Sequence, residues 1–208
     1  FTTFCILIVI NGSNFMDGLN TLTTGYCLLI LFSLIFIFSN NQIIIPNYDL
    51  LLITVVSLLV VFLFNIFGKI YLGDNGAYLA AFIISILLIE ISKINHIVSP
   101  FYVANLLWYP AYENFFSIIR KIIQKKSPMS PDNHHLHQLI FAYFNKNKKF
   151  NKVFANSFTA CAINFFNFII FVFATMYFSN TIMQILIILI SIFFYNLFYF
   201  ILKKLIYN

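Results

Sequence analysis

The chain has 208 residues, of which 62% are hydrophobic and only 9% charged, with a mean hydropathy of +0.93. That composition excludes an ordinary soluble domain and leaves a polytopic membrane protein. The net charge of +6 falls mostly in connections between apolar runs, which reads as membrane topology and anionic-lipid contact, not as a nucleic-acid surface.

In chain order, the apolar runs predict an all-α helical bundle with a truncated helix at 1–10 and six full spans near 18–39, 49–68, 76–92, 99–119, 153–178 and 181–202. About 20 residues of helix cross the hydrocarbon layer, and the runs are continuous rather than alternating, which argues against a β-barrel. The connections are 11–17, 40–48, 69–75, 93–98, 120–152 and 179–180. Residues 1–208 form one transmembrane domain, with 120–152 as a His-containing loop within it. Alternate connections share a side, so Lys69, the eight basic residues of 120–152 and the pair Lys203 and Lys204 lie together, 11 of the 12 basic residues. Positive charge marks the cytoplasmic side. Only Lys93 lies opposite.

Three of the six acids sit in short polar motifs that fall on that same side. The first is Asn11-Gly-Ser-Asn14-Phe-Met-Asp17-Gly18-Leu-Asn20. Helix capping would explain one of these polar residues. Three amides and an acid at recurring i, i+3 spacing suit a sugar or nucleotide better. The second, Gly73-Asp74-Asn75-Gly76, reads either as a tight turn or as a carboxylate at a helix start facing a divalent cation. The third is Pro131-Asp132-Asn133-His134-His135-Leu136-His137, either a solvated basic loop or a place where His135 and His137 meet phosphate or nucleobase. Two imidazoles two residues apart diverge on a helix, so an irregular backbone is expected there. Glu113, inside the span 99–119, is either a functional acid or a structural partner of Arg120 or a loop lysine. Pro110 should kink the same span and free backbone carbonyls. Cys5, Cys27 and Cys161 lack paired spacing and read as packing residues.

Taken in order, these motifs resemble those of the polyprenyl-phosphate N-acetylhexosamine-1-phosphate transferases, a superfamily that includes the enzymes starting peptidoglycan lipid I, O-antigen and teichoic-acid linkage synthesis. Asn14-Phe-Met-Asp17-Gly18-Leu-Asn20 resembles its NxxDGxxGL segment, and Lys69-Ile-Tyr71-Leu-Gly73-Asp74-Asn-Gly76 its K(V/I)F(M/L)GDxG segment. Tyr109-Pro110…Glu113…Arg120 resembles its YPxxE…RR helix, and Ser127-Pro-Met-Ser-Pro131-Asp132…His135-Leu-His137 its SPFxPDRxHLHH loop.

The resemblance implies transfer of N-acetylhexosamine-1-phosphate from a UDP-sugar to polyprenyl phosphate, with release of UMP, at the cytoplasmic face of a bacterial inner membrane. It implies Mg²⁺, with Mn²⁺ as an alternative, held by Asp74. Asp74 and Asp17 are the implied catalytic residues. Asn11, Asn14, Asn20, Tyr71, His135 and His137 are the implied substrate-binding residues, Tyr71 by stacking on uracil. The expected partners are the UDP-N-acetylhexosamine, the polyprenyl phosphate and the bilayer, with a homodimer left open. Asn20 places the motif nearest the O-antigen-initiating branch. Departures from the pattern are Asn133, Gln138, Thr21 and Ala77, where the family usually has Arg, His, Gly and Ser. The family's adjacent aspartates are absent, so the expectation is a C-terminal portion, preceded by about four spans and inactive alone. An inactive scaffold of the same family and a transporter are the rival readings.

Overall fold

The computed structural model describes residues 2–40, 43–125, 127, 134–146 and 151–207. The helices in chain order are α1 (Thr2–Met16), α2 (Leu22–Ser39), α3 (Tyr48–Ile66), α4 (Gly73–Ile94), α5 (Pro100–Leu106), α6 (Trp108–Ile123), α7 (Leu136–Lys146), α8 (Lys152–Met176) and α9 (Thr181–Tyr207). There is no strand among the described residues. A helix satisfies its backbone polar groups internally, which lipid requires. Five helices, α2, α3, α4, α8 and α9, are long and apolar enough to cross a membrane.

The remaining expected span, 99–119, is two helices meeting at Leu107. The cause is local. Pro110 has no N–H to offer the carbonyl of Leu106. The Tyr26 hydroxyl of α2 takes that carbonyl instead, at 2.9 Å. The start of α5 is fixed by Pro100 at its first turn and by Ser99, whose hydroxyl accepts from the Phe101 amide at 3.3 Å. The broken pair stays inside the bundle through side-chain bonds between helices. Asn105 donates to Gln184, Trp108 to Asn167 at 3.0 Å, and Tyr112 pairs with Asn196 at 2.8 Å. Such bonds join helices where lipid supplies no hydrophobic drive between them.

The first helix also differs from expectation. It runs to Met16, so Asn11 and Asn14 lie on α1 and not in a connection at 11–17. α1 packs against α4 and α6, α2 against α8 and α3, and the short α7 lies across α8 and α9. At Gly12 the two helices α1 and α6 pack tightly: a Cβ there would stand 2.7 Å from the carbonyl carbon of Pro110. A missing side chain on one helix thus accommodates the kink of the other.

Helix α3 ends in a Schellman motif. Gly68 is left-handed at φ 65°, its amide bonds the Asn65 carbonyl at 2.9 Å, and the Lys69 amide bonds Phe64 at 3.0 Å. This turns the chain back toward the start of α4, where Gly73, also left-handed at φ 68°, leads into Asp74.

Candidate functional site

The turn after α1 carries Asp17. Its amide bonds the Asn14 carbonyl at 3.1 Å, closing the helix. The Asp17 carboxylate lies within electrostatic reach of the Gly73 amide and of the Asp74 carboxylate, so two motifs more than fifty residues apart share one place. Partial burial, first, and the Asp74 charge, second, push the Asp17 carboxyl up to about 6; the Gly73 amide opposes them. Asp74 is exposed in the first turn of α4, the helix-start alternative of the two readings of its motif.

Asn65, a residue absent from the expected site, joins the same two segments. Its carbonyl oxygen accepts from the Thr21 amide, and its amide donates to the Ile70 carbonyl at 2.6 Å. Thr21 is left-handed at φ 67°. Asn164 of α8 donates to the Thr21 carbonyl at 3.0 Å. The departure from Gly at this position is therefore held by hydrogen bonds on both sides of the residue. Asn156 of α8 holds the neighbouring Asn20 amide at 2.7 Å. The signal for these asparagines was present, since Asn is costly in an apolar span, but their partners were not readable from spacing.

The Asn20 side-chain amide lies beside Gly68, 3.6 Å from where a Cβ would stand, and the Tyr71 hydroxyl approaches the same point at 3.5 Å. Asn20 and Tyr71 therefore flank one turn. Tyr71 is 67% exposed, so its ring is an open stacking surface. Asn14 is half-buried, with its side-chain oxygen unpaired among the described residues. Asn11 lies on the exposed stripe of α1 with Leu7 and Phe15, and among the described residues no hydrogen bond ties it to the Asp17–Asp74 pair.

The histidines arrive from the other side. His135 precedes the first turn of α7 and His137 lies within it, so the divergence of a regular helix is avoided. The two rings stack at 5.4 Å with 12° between their planes, and Phe15 of α1 stacks on His135, also at 5.4 Å. Gln138 caps this helix start by accepting from the His135 amide at 3.1 Å. Its departure from His thus has a structural role. His134 turns away: its Nδ1 is 3.0 Å from the Tyr207 hydroxyl. The Nε2 of His137 is 3.8 Å from the Cβ position of Gly18, next to Asp17.

Glu113 finds partners that neither reading of the sequence named. Its carboxylate is paired with His135, at 2.9 Å from Nδ1, and also accepts from the Leu136 amide and the Tyr109 hydroxyl, each at 3.2 Å. The expected pairing with Arg120 is not found. Arg120 donates to the His134 carbonyl at 2.7 Å and lies near the rings of Phe116 and Tyr199. Asp132 and Asn133 lie outside the described residues.

One end of the bundle thus collects two neighbouring carboxylates, two stacked imidazoles, amides and an open tyrosine. Residues 1–92 match the family model of glycosyl transferase family 4. Over those residues the chain is similar to glycosyl transferase family 4. The chain is 30% identical over 146 residues, 68% of its length, to a probable undecaprenyl-phosphate N-acetylglucosaminyl 1-phosphate transferase of Bacillus subtilis (strain 168). Undecaprenyl-phosphate alpha-N-acetylglucosaminyl 1-phosphate transferases of Yersinia pestis and Salmonella typhi are each 24% identical over 144 residues, 67% of this chain. The aligned region spans 40% of the Bacillus and Yersinia proteins and 39% of the Salmonella protein. No solved structure matches.

Proposed function

We propose that this chain supplies the donor-binding and metal-binding part of a polyprenyl-phosphate sugar-phosphate transferase. The reaction is transfer of N-acetylhexosamine-1-phosphate from a UDP-sugar to polyprenyl phosphate. The observation that supports it best is the meeting of Asp17, Gly73 and Asp74 at one end of the bundle, with His137 beside Gly18. The similarity to undecaprenyl-phosphate transferases supports the same reading.

The balance of the step is simple. An oxygen of the polyprenyl phosphate forms a bond to the β-phosphorus of the UDP-sugar. The bond from that phosphorus to the bridging oxygen breaks, and the bridging oxygen leaves with UMP. The residues fit a divalent cation. Two carboxylates close enough to repel are stabilised by shared positive charge, and Mg²⁺ characteristically takes one or two carboxylates together with substrate phosphate oxygens. Asp74, with Asp17 beside it, would hold the cation, which when bound neutralises charge on the phosphate oxygens.

The chain's own groups do the rest. Tyr71 offers its ring to the uracil, and Asn20 and Asn14 offer amides to the nucleotide-sugar. His137 turns Nε2 toward the phosphates. The partition of basic residues supports a site at the cytoplasmic face of a bacterial inner membrane. The test is Mg²⁺-dependent UMP release by the full-length protein from a panel of UDP-N-acetylhexosamines with undecaprenyl phosphate. Release that is lost in Asp74→Asn is the expected result. A folded protein that releases no UMP from any donor would move the reading to a scaffold.

A further inference from the structure

Glu113 is 1% exposed, and a carboxylate in such a place needs donors on its oxygens. It has them from three directions. Oε2 meets His135 Nδ1 at 2.9 Å, and Oε1 meets the Leu136 amide and the Tyr109 hydroxyl at 3.2 Å. His137 Nδ1 stands 3.8 Å from Oε1. Tyr195 of α9 also lies within its electrostatic reach. An ionised carboxylate only accepts. The proton on His135 must therefore be at Nδ1, whether the ring is neutral or cationic, and Nε2 is directed away from Glu113.

His137 supplies an independent observation. It is 1% exposed, and neither ring nitrogen has a hydrogen-bond partner among the described residues. Buried polar groups are nearly always paired, so an orphan of this kind calls for a ligand. Its Nε2 lies beside Gly18, where no side chain intervenes. His137 cannot turn freely, because it is stacked on His135, which is itself held by Glu113 and Phe15.

We propose that Glu113 is the positioning residue of this site: it fixes the proton of His135 on Nδ1 and holds the stacked pair so that Nε2 of His137 is presented, beside Asp17, to a phosphate oxygen. That the ligand is a phosphate rests on the transferase reading; the proton assignment does not. Glu113 lies one turn before Ser117 on α6, and Arg120, one turn further on, donates to Ser117, to the His134 carbonyl and to the Tyr199 hydroxyl. Among the described residues Glu113 touches the site only through the histidines.

The experiment has two arms. The first uses the full-length protein with ¹⁵N-labelled histidine in nanodiscs and reads the tautomer of His135 from long-range ¹H–¹⁵N spectra at alkaline pH. Nδ1–H is expected in the wild type, and Nε2–H there would overturn the proposal without any variant. In Glu113→Gln the Leu136 amide and Tyr109 hydroxyl retain Oε1, so the new NH₂ faces His135 Nδ1 and the proton moves to Nε2. Glu113→Asp keeps Nδ1–H. An unchanged tautomer in the Gln variant overturns the proposal.

The second arm is UMP release. Glu113→Gln lowers kcat by roughly 10–100-fold, as for other carboxylates that orient a functional histidine, with little change in KM for the UDP-sugar. Glu113→Asp recovers part of the loss. A swapped tautomer with unchanged kcat overturns the positioning role. No UMP release by the wild type from any donor sinks the transferase reading, while the tautomer arm still decides the role of Glu113.

Discussion

The Tyr26 hydroxyl takes the Leu106 carbonyl at 2.9 Å, which is the carbonyl that Pro110 leaves without an amide. A kink in one helix is thereby satisfied by a side chain from another, and the Tyr109 amide reaches the same hydroxyl at 3.4 Å. Tyr26→Phe should destabilise the protein by about 1–3 kcal/mol, the usual cost of orphaning a buried polar group. Pro110→Ala restores an N–H to the helix, so the double variant should be less destabilised than the sum of the two. Thermal unfolding in nanodiscs measures that coupling, and strict additivity would contradict the assignment.

Asn65 ties the turn that carries Asp17 to the loop that leads to Asp74. Asn65→Ala orphans the Thr21 amide and the Ile70 carbonyl together, and should cost about 2 kcal/mol if each contributes at the low end of the usual range. Asn65→Asp keeps the acceptor for Thr21 and loses the donor to Ile70, so it should fall between wild type and Ala. Faster amide exchange at Thr21 is expected in the Ala variant alone.

Asp17 sets a pH dependence, because its carboxyl is raised from 3.8 to about 6. Between those values the folded state binds more protons than the unfolded state, so stability without metal falls as pH rises through that window. A cation competes with the same proton. Mg²⁺ or Mn²⁺ affinity should therefore strengthen from about pH 5 to about pH 7 and level off above. Titration calorimetry across that range checks it, and in Asp17→Asn the pH dependence should flatten.

The histidines should separate sharply. His134 pairs with Tyr207 at the surface, so His134→Ala should leave UMP release within a few-fold of wild type. His137→Ala should lose roughly 10²–10⁴-fold, the range for a positioned imidazole acting on a reacting group. Equal losses in both would contradict the geometry.

Gln138 caps α7 by accepting from the His135 amide. Gln138→Ala should cost about 0.5–2 kcal/mol in stability, as caps do. Gln138→Glu should preserve the cap. Unfolding midpoints of the two variants give the comparison.

Much of this was legible in the sequence, because lipid permits so few solutions. A run of some twenty apolar residues in a chain this poor in charge has to be a helix. The partition of 11 of 12 basic residues orders the connections into sides. The acids of the polar motifs stood out for the same reason, and Pro110 announced its kink through the amide it lacks. The resemblance added roles to residues whose chemistry was already visible.

What only the tertiary structure decided is which groups meet. Spacing along one segment offered Glu113 Arg120 or a loop lysine as partner and could not show that it meets His135, just before α7. Nor could it show that α1 continues through Asn14, that Asn65 fastens two motifs, or that Gln138 serves as a cap. The physical reason is that burial in lipid is specified by composition, residue by residue, whereas a hydrogen bond between side chains depends on how the helices are packed against one another.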